Sequence, residues 1–394
     1  MKKRLHTIFH VKAITCLLLC CVAGCREKYV PTLINNSATG YLVVDGFINS
    51  GTGPTTISLS RSTRISAAAA IVRETKATVR VVGKVNTTGF LLTETGTNTG
   101  IYSNPQLTLD PTDQYRLYIK TVLGKEYYSD YCAVRRTPNI DSVSWKVERD
   151  GVQIYANAHG NNAEVGYYQL KKEETWEFNS AYTSQFKTIP NPNPNAPVPY
   201  ILVYRLPGKN DDLSIFTCWK TEAPTNILLY STEKLTQNIL SYQLAFIERG
   251  SWKLSIRYSI QCTFMSLSRA NYQFLEQLRK NTEQLGTIFD AQPSENVGNI
   301  HNTVDANERV IGFVEISEEK KQRIFITRAQ VPFWTYSQGC GLEYKVDKDS
   351  LTADGVPTHV AEYDNNNNPK SVLVAQPVCV DCTLRGSNTK PSFW

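Results

Sequence analysis

From Tyr41 to Ser129 the chain is cut roughly every ten residues by glycine, proline or asparagine, and the stretches between the cuts are short and rich in Val, Ile, Thr and Tyr. The runs read YLVVDGFI, TTISLS, ATVRVVG, GFLLTET, IYSNPQLTL and QYRLYIKTVLGKEYYS. β-branched and aromatic side chains suit a pleated, half-buried surface, so these are strands rather than helices. Alternation is explicit in Thr78-Val79-Arg80-Val81 and in Tyr115-Arg116-Leu117-Tyr118-Ile119, which sends every second side chain to a core face. Leu123-Gly124-Lys125 supplies a hairpin turn. The spacing predicts an immunoglobulin-like β-sandwich over residues 39–137, with the boundary at Arg136-Thr137-Pro138.

Residues 138–394 read as a second, larger β-rich domain. Asp150-Gly151 predicts a tight hairpin turn. A long strand, GYYQLKKEETWEF, leads to a Pro/Asn loop over 190–199 that cannot pair in a central strand. Further strand-like runs follow, and then the one amphipathic helix, near 268–285. Ser268 suits its N-cap and Gly286 its C-cap, while Ala270, Phe274, Leu275, Leu278 and Leu285 are expected to face inward. VIGFVEIS and KQRIFIT are expected to pair as a hairpin across Glu318 to Lys320. The fold class is therefore mainly β.

The N-terminus carries a different signal. Lys2, Lys3, Arg4 and Lys12 precede an apolar run, Ala13 to Cys25, which is of signal-peptide length and well short of the roughly 20 residues that span a bilayer. It ends in Val22-Ala23-Gly24-Cys25, a lipobox. Small residues admit the backbone to a peptidase cleft, and the thiol of Cys25 takes a diacylglyceryl group. Residues 1–24 are then a signal peptide and 25–38 a tether to the first domain. Loss of the leader lowers the formal charge from +6 to +2. Nothing in that balance calls for a nucleic-acid partner. Position 26 is Arg rather than an inner-membrane-retaining Asp, which favours an outer-membrane lipoprotein of the cell envelope, on either the periplasmic or the surface face.

Six cysteines follow Cys25, and an oxidising compartment favours disulfides among them. Cys379 and Cys382 have metal-knuckle spacing, but zinc needs two more ligands and no histidine pair supplies them. Disulfides with Cys218 and Cys340 as partners are the stronger reading. Cys132 and Cys262 lie in strand-like runs, as buried free thiols would. Glu173, Glu174 and Glu177 flank Trp176 and invite a glycosidase reading. In a strand, however, Glu173 and Glu174 face opposite ways and Glu173 and Glu177 lie about 13 Å apart, against roughly 5 to 9.5 Å for glycosidase carboxylates. Tyr168, Leu170, Trp176 and Phe178 share a face and look like core. No phosphate-loop, nucleophile-elbow or zinc-protease motif occurs, so no catalytic residue and no cofactor is assigned. Phe393-Trp394 is read as packing on the second domain rather than closing a membrane barrel.

Several short motifs recur in one order: VVDGFI and SLS early, then ETWEF, Arg257-Tyr258-Ser259-Ile260, the helix, IFD-x-QPS, Gly298-Asn299-Ile300, VIGF, Arg323-Ile324-Phe325-Ile326, and C-x-x-C with KP-x-FW at the end. Together they resemble the domain-of-unknown-function 4249 family of Bacteroidota envelope lipoproteins. The resemblance implies a membrane partner through the N-terminal lipid and, by analogy with neighbouring families, a TonB-dependent outer-membrane transporter as protein partner. The expected function is a non-catalytic binding or accessory component; the alternatives are an envelope glycan hydrolase and a passive structural or adhesive spacer.

Overall fold

Nine strands open the chain: β1 (Leu42–Asn49), β2 (Thr55–Arg61), β3 (Val72–Arg73), β4 (Thr78–Gly83), β5 (Phe90–Glu94), β6 (Ile101–Asn104), β7 (Gln114–Lys120), β8 (Glu126–Ser129) and β9 (Cys132–Ala133). The period-two pattern holds in β2, β4 and β7, where Ile57, Leu59, Val79, Val81, Leu117 and Ile119 are fully buried. The structure, a computed structural model, describes residues 40–63, 71–85, 87–161, 164–283, 298–336 and 339–394. The signal peptide, Cys25, the tether and the helix-end residues Leu285 and Gly286 lie outside the described residues.

The second set begins with β10 (Ile140–Glu148) and β11 (Gly151–His159), followed by β12 (Tyr167–Asn179), β13 (Phe186–Pro190), β14 (Tyr200–Tyr204), β15 (Thr217–Glu222), β16 (Leu228–Ser231), β17 (Ile239–Glu248) and β18 (Arg257–Ser266). Glu148 pairs with Gly151, so the β10–β11 turn falls on Arg149-Asp150, one residue before the expected pair. Gly151 is instead a strand residue, at a point where any Cβ would collide with the carbonyl oxygen of Ile247 on β17. Helix α1 (Arg269–Glu283) follows. Its cap is as expected, with the Ser268 hydroxyl accepting from the Asn271 amide at 3.1 Å. The inward stripe is as expected from Phe274 onward but begins at Asn271 rather than Ala270. Ala270 is exposed, while Asn271 and Phe274 are buried and Leu275 and Leu278 half-buried.

The remaining strands are β19 (Ile300–Asn302), β20 (Val310–Ile311), β21 (Ile316–Ser317), β22 (Lys320–Thr327), β23 (Tyr344–Asp347), β24 (Val356–Tyr363) and β25 (Pro369–Ala375). Here the expected VIGFVEIS–KQRIFIT hairpin does not form. β20 and β21 lie parallel to β1, with Leu42 opposite Val310 and Ile48 opposite Ile316, whereas β22 runs antiparallel to β18. Burial explains the split: Val314 and Ile316 join the core of the first sheet and Ile326 joins that of the second. The first sheet therefore runs β19-β8-β7-β4-β5-β6-β2-β1-β20, with β3, β9 and β21 paired alongside. Its two ends are consecutive in sequence, so the sheet curls nearly closed around its core.

Two further sheets, β10-β11-β17 and β15-β12-β18-β22, with β16 pairing β12, face one another across a second core of Ile154, Leu244, Leu170, Trp176 and Ile260. The β13–β14 hairpin, closed by the expected Pro/Asn loop, shares a third, small core with β23-β25-β24 through Phe186, Val372 and Val374. The mainly β class is thus observed, and residues 41–394 form one compact unit around these cores.

Gly312 breaks the parallel pairing between β20 and β21. Its φ is +143°, and a Cβ there would meet the Val44 carbonyl oxygen. Gly312→Ala is expected to cost on the order of 2 kcal/mol through backbone strain and lost pairing, read as a lower urea midpoint; an unchanged midpoint would show that β20 contributes little to the first sheet.

Candidate binding site

Strand β12 carries the three carboxylates singled out in the sequence, and each is committed to a partner. Glu173 and Glu174 do face opposite ways. Glu173 points to the outer face, where Arg323 donates to it at 2.6 Å. Glu174 points into the core, 5% exposed, and accepts from the Tyr258 hydroxyl at 2.7 Å and from the Lys253 ammonium at 3.1 Å. Burial and the neighbouring Glu174 carboxylate together hold the Tyr258 phenol well above its ordinary pKa. Lys253 sits 4.5 Å from the centroid of the Trp176 ring, so charge and aromatic face share one enclosed cluster. Glu177 accepts from the indole N–H of Trp394 at 3.1 Å. Phe393 lies 3.6 Å from the Arg323 guanidinium, so the last two residues cover the outer face of β12, β18 and β22. That packing agrees with the reading of Phe393-Trp394, and Tyr168, Leu170, Trp176 and Phe178 are all core.

The cysteines divide as the sequence indicated. Cys218 is bonded to Cys382 and Cys340 to Cys379, so both members of the C-x-x-C tie earlier parts of the chain to the C-terminus. The chain-entropy model gives about 4 kcal/mol for the 39-residue separation and about 5 for the 164-residue one. Cys132 and Cys262 are free thiols, Cys262 buried as expected but Cys132 only half-buried. Burial pushes Cys262 up to about 12, and burial followed by the Glu315 and Asp130 carboxylates pushes Cys132 up to about 11. Neither is a thiolate nucleophile at neutral pH.

What sequence reasoning missed is a cavity of about 290 Å³ where β1, β12, β18 and α1 meet. Val44, Phe47, Met265, Phe274, Leu278 and Phe313 give it apolar walls, and Lys171 and Asp45 add charge to the lining. One buried carboxylate organises it. Glu315 accepts from the Ser268 amide at 2.8 and 3.0 Å, from the Asn271 side-chain amide at 2.9 Å, and from Arg135 at 2.8 Å. It thereby satisfies donors at the start of α1 and places negative charge at the positive end of the helix. This explains why the stripe begins at Asn271 rather than Ala270, since Asn271 turns inward to reach Glu315. Size and lining suit a small, mainly apolar group with a polar end. No local periodicity signals the cavity, because it opens where the chain leaves β1 at Gly312.

Among the described residues no helix is long and apolar enough to cross a membrane. The architecture is that of a β-rich protein stapled at its C-terminus by two disulfides. A family described as Domain of unknown function (DUF4249) matches residues 26–323, and the chain belongs to that family. No curated protein matches the chain.

Glu315→Ala leaves the Ser268 amide and the Asn271 side chain without their acceptor, and is expected to cost about 2 to 4 kcal/mol; Glu315→Gln keeps an acceptor and should cost less than half of that. Urea unfolding of both variants checks the order, and equal losses would show that Glu315 acts through charge alone.

Proposed function

We propose that the protein is an outer-membrane lipoprotein of the cell envelope, anchored through Cys25, that works as a non-catalytic binding or accessory component beside a TonB-dependent transporter. The observation that carries this reading is the lipobox, Val22 to Cys25, followed by a short polar segment and a β-rich body. The apolar cavity under α1 supports a binding role. The engagement of Glu173 by Arg323 and of Glu177 by Trp394 supports a structural part for the residues on which a glycan hydrolase would rest.

Affinity purification of the tagged protein from solubilised membranes is expected to bring a transporter with it, and Cys25→Ser is expected to move the protein to the soluble fraction. Absence of any envelope partner, or polysaccharide turnover abolished by Glu173→Gln, would overturn the reading.

A further inference from the structure

The registers of the first sheet bring several chain segments to one of its ends. Leu42 is opposite both Arg61 and Val310, Arg61 opposite Val72, Lys120 opposite Thr78 and Glu126, and Asn302 opposite Tyr127. The start of β1, strand β3, the 121–125 turn and the 303–309 turn therefore lie together. That end also exposes aliphatic side chains: Ile71 at 64%, Val72 at 48%, Val122 at 64%, Leu123 at 71% and Val304 at 93%. At the opposite end, among the described residues, Val85 stands out at 83%.

The tips are presented on bonded turns. Glu308 accepts from Lys125 at 2.8 Å and from Tyr127 at 2.7 Å, which ties the 303–309 turn to β8 and its turn. Asn302 accepts from the Val304 amide at 2.8 Å and donates to Glu308 at 2.7 Å. Three cations at this end are paired, Arg61 with Glu74, Lys120 with Glu126 and Lys125 with Glu308, and the exposed Arg73, Lys76 and Arg309 are offset in number by Glu94 and Asp305 to within one charge. The surface is thus apolar at its tips and close to electrically balanced beneath them. Such a surface fits the interface of a bilayer better than an anionic headgroup cluster.

Chain length names the occupant. Tyr41, which leads into β1 at this same end, is sixteen residues from Cys25. Sixteen residues of chain span at most about 58 Å when fully extended. Of the two ends of the sheet, this is the one at which the chain from Cys25 enters.

We propose that this end of the first sheet rests on the lipid surface, with Val122, Leu123 and Val304 in the headgroup layer. The proposal rests on anchoring through Cys25. Three aliphatic tips bind a bilayer weakly by themselves, and a lipid tether makes their contact effectively intramolecular. The contact orients the body on the membrane and leaves the Val85 end and the rest of the protein facing away from it.

The test uses the full lipidated protein in phosphatidylethanolamine/phosphatidylglycerol vesicles, with an environment-sensitive dye on Leu123→Cys or, in a parallel sample, on Val85→Cys; labelling of the unsubstituted protein gives the background from Cys132 and Cys262. The dye at 123 is expected to shift to the blue and to be quenched by brominated lipid, with little change in high salt, while the dye at 85 keeps its aqueous emission. Aqueous emission at both sites from protein that floats with the vesicles would overturn the docking and leave the anchor intact. A shift at 123 that appears only when solubilised outer-membrane proteins are added would make the occupant a protein and also overturn it. Flotation of Cys25→Ser as complete as that of the lipidated form would instead overturn the anchoring reading.

Discussion

Residues 315–318 are hydrogen-bonded on two sides at once, and the arrangement of the first two cores depends on it. On one side Ile48 donates to the Glu315 carbonyl at 2.9 Å and Ser50 to that of Ser317 at 3.0 Å. On the other, Arg135 donates to the Ile316 carbonyl and Glu318 to that of Arg135, both at 3.1 Å. Thr137 extends the clasp: its hydroxyl donates to the Glu318 carbonyl at 2.5 Å and accepts from the Ser266 amide at 3.0 Å. The segment after β9 is therefore held between a strand of the first sheet and the end of β18. Its neighbours in space lie about 180 residues away in sequence. Closing so long a loop costs conformational entropy, which the burial of Val310, Val314 and Ile316 offsets.

The clasp also covers an edge. Without β20 and β21, the outer side of β1 would present unpaired backbone groups beside Leu42 and Ile48. Where the parallel pairing lapses between Gly312 and Glu315, the apolar cavity opens beneath α1. Fold and candidate site therefore share a cause: the returning strand departs from β1 at Gly312 and rejoins it after Glu315, and the carboxylate of Glu315 fixes the helix above the gap.

Much of this was legible because it is local. Period-two alternation placed Val79, Val81 and Leu117 inside, the Ser268 cap located α1, and their strand-like context set Cys132 and Cys262 apart from Cys218, Cys340, Cys379 and Cys382. The resemblance of scattered motifs to a known family was matched over residues 26–323. What was not legible is non-local. Strands of two residues such as β20 and β21 carry no periodicity, and adjacency in sequence made a hairpin with β22 look natural. Alternation placed Glu174 on the core face, yet Tyr258 and Lys253, the partners that make a buried carboxylate tolerable, lie 84 and 79 residues away. Asn271 was passed over for Ala270 because a polar residue is expected outside unless its acceptor is known.

Within residues 300–317, β19, β20 and β21 belong to the first sheet, on the outer sides of β8 and β1. The decisive measurement is urea unfolding of residues 41–137 alone, followed by near-ultraviolet circular dichroism beside the 41–394 chain. A featureless spectrum and no cooperative transition are expected for the fragment, because β1 and β8 lack their outer partners β20, β21 and β19. A sigmoidal transition with a native-like aromatic spectrum from the fragment would contradict that placement.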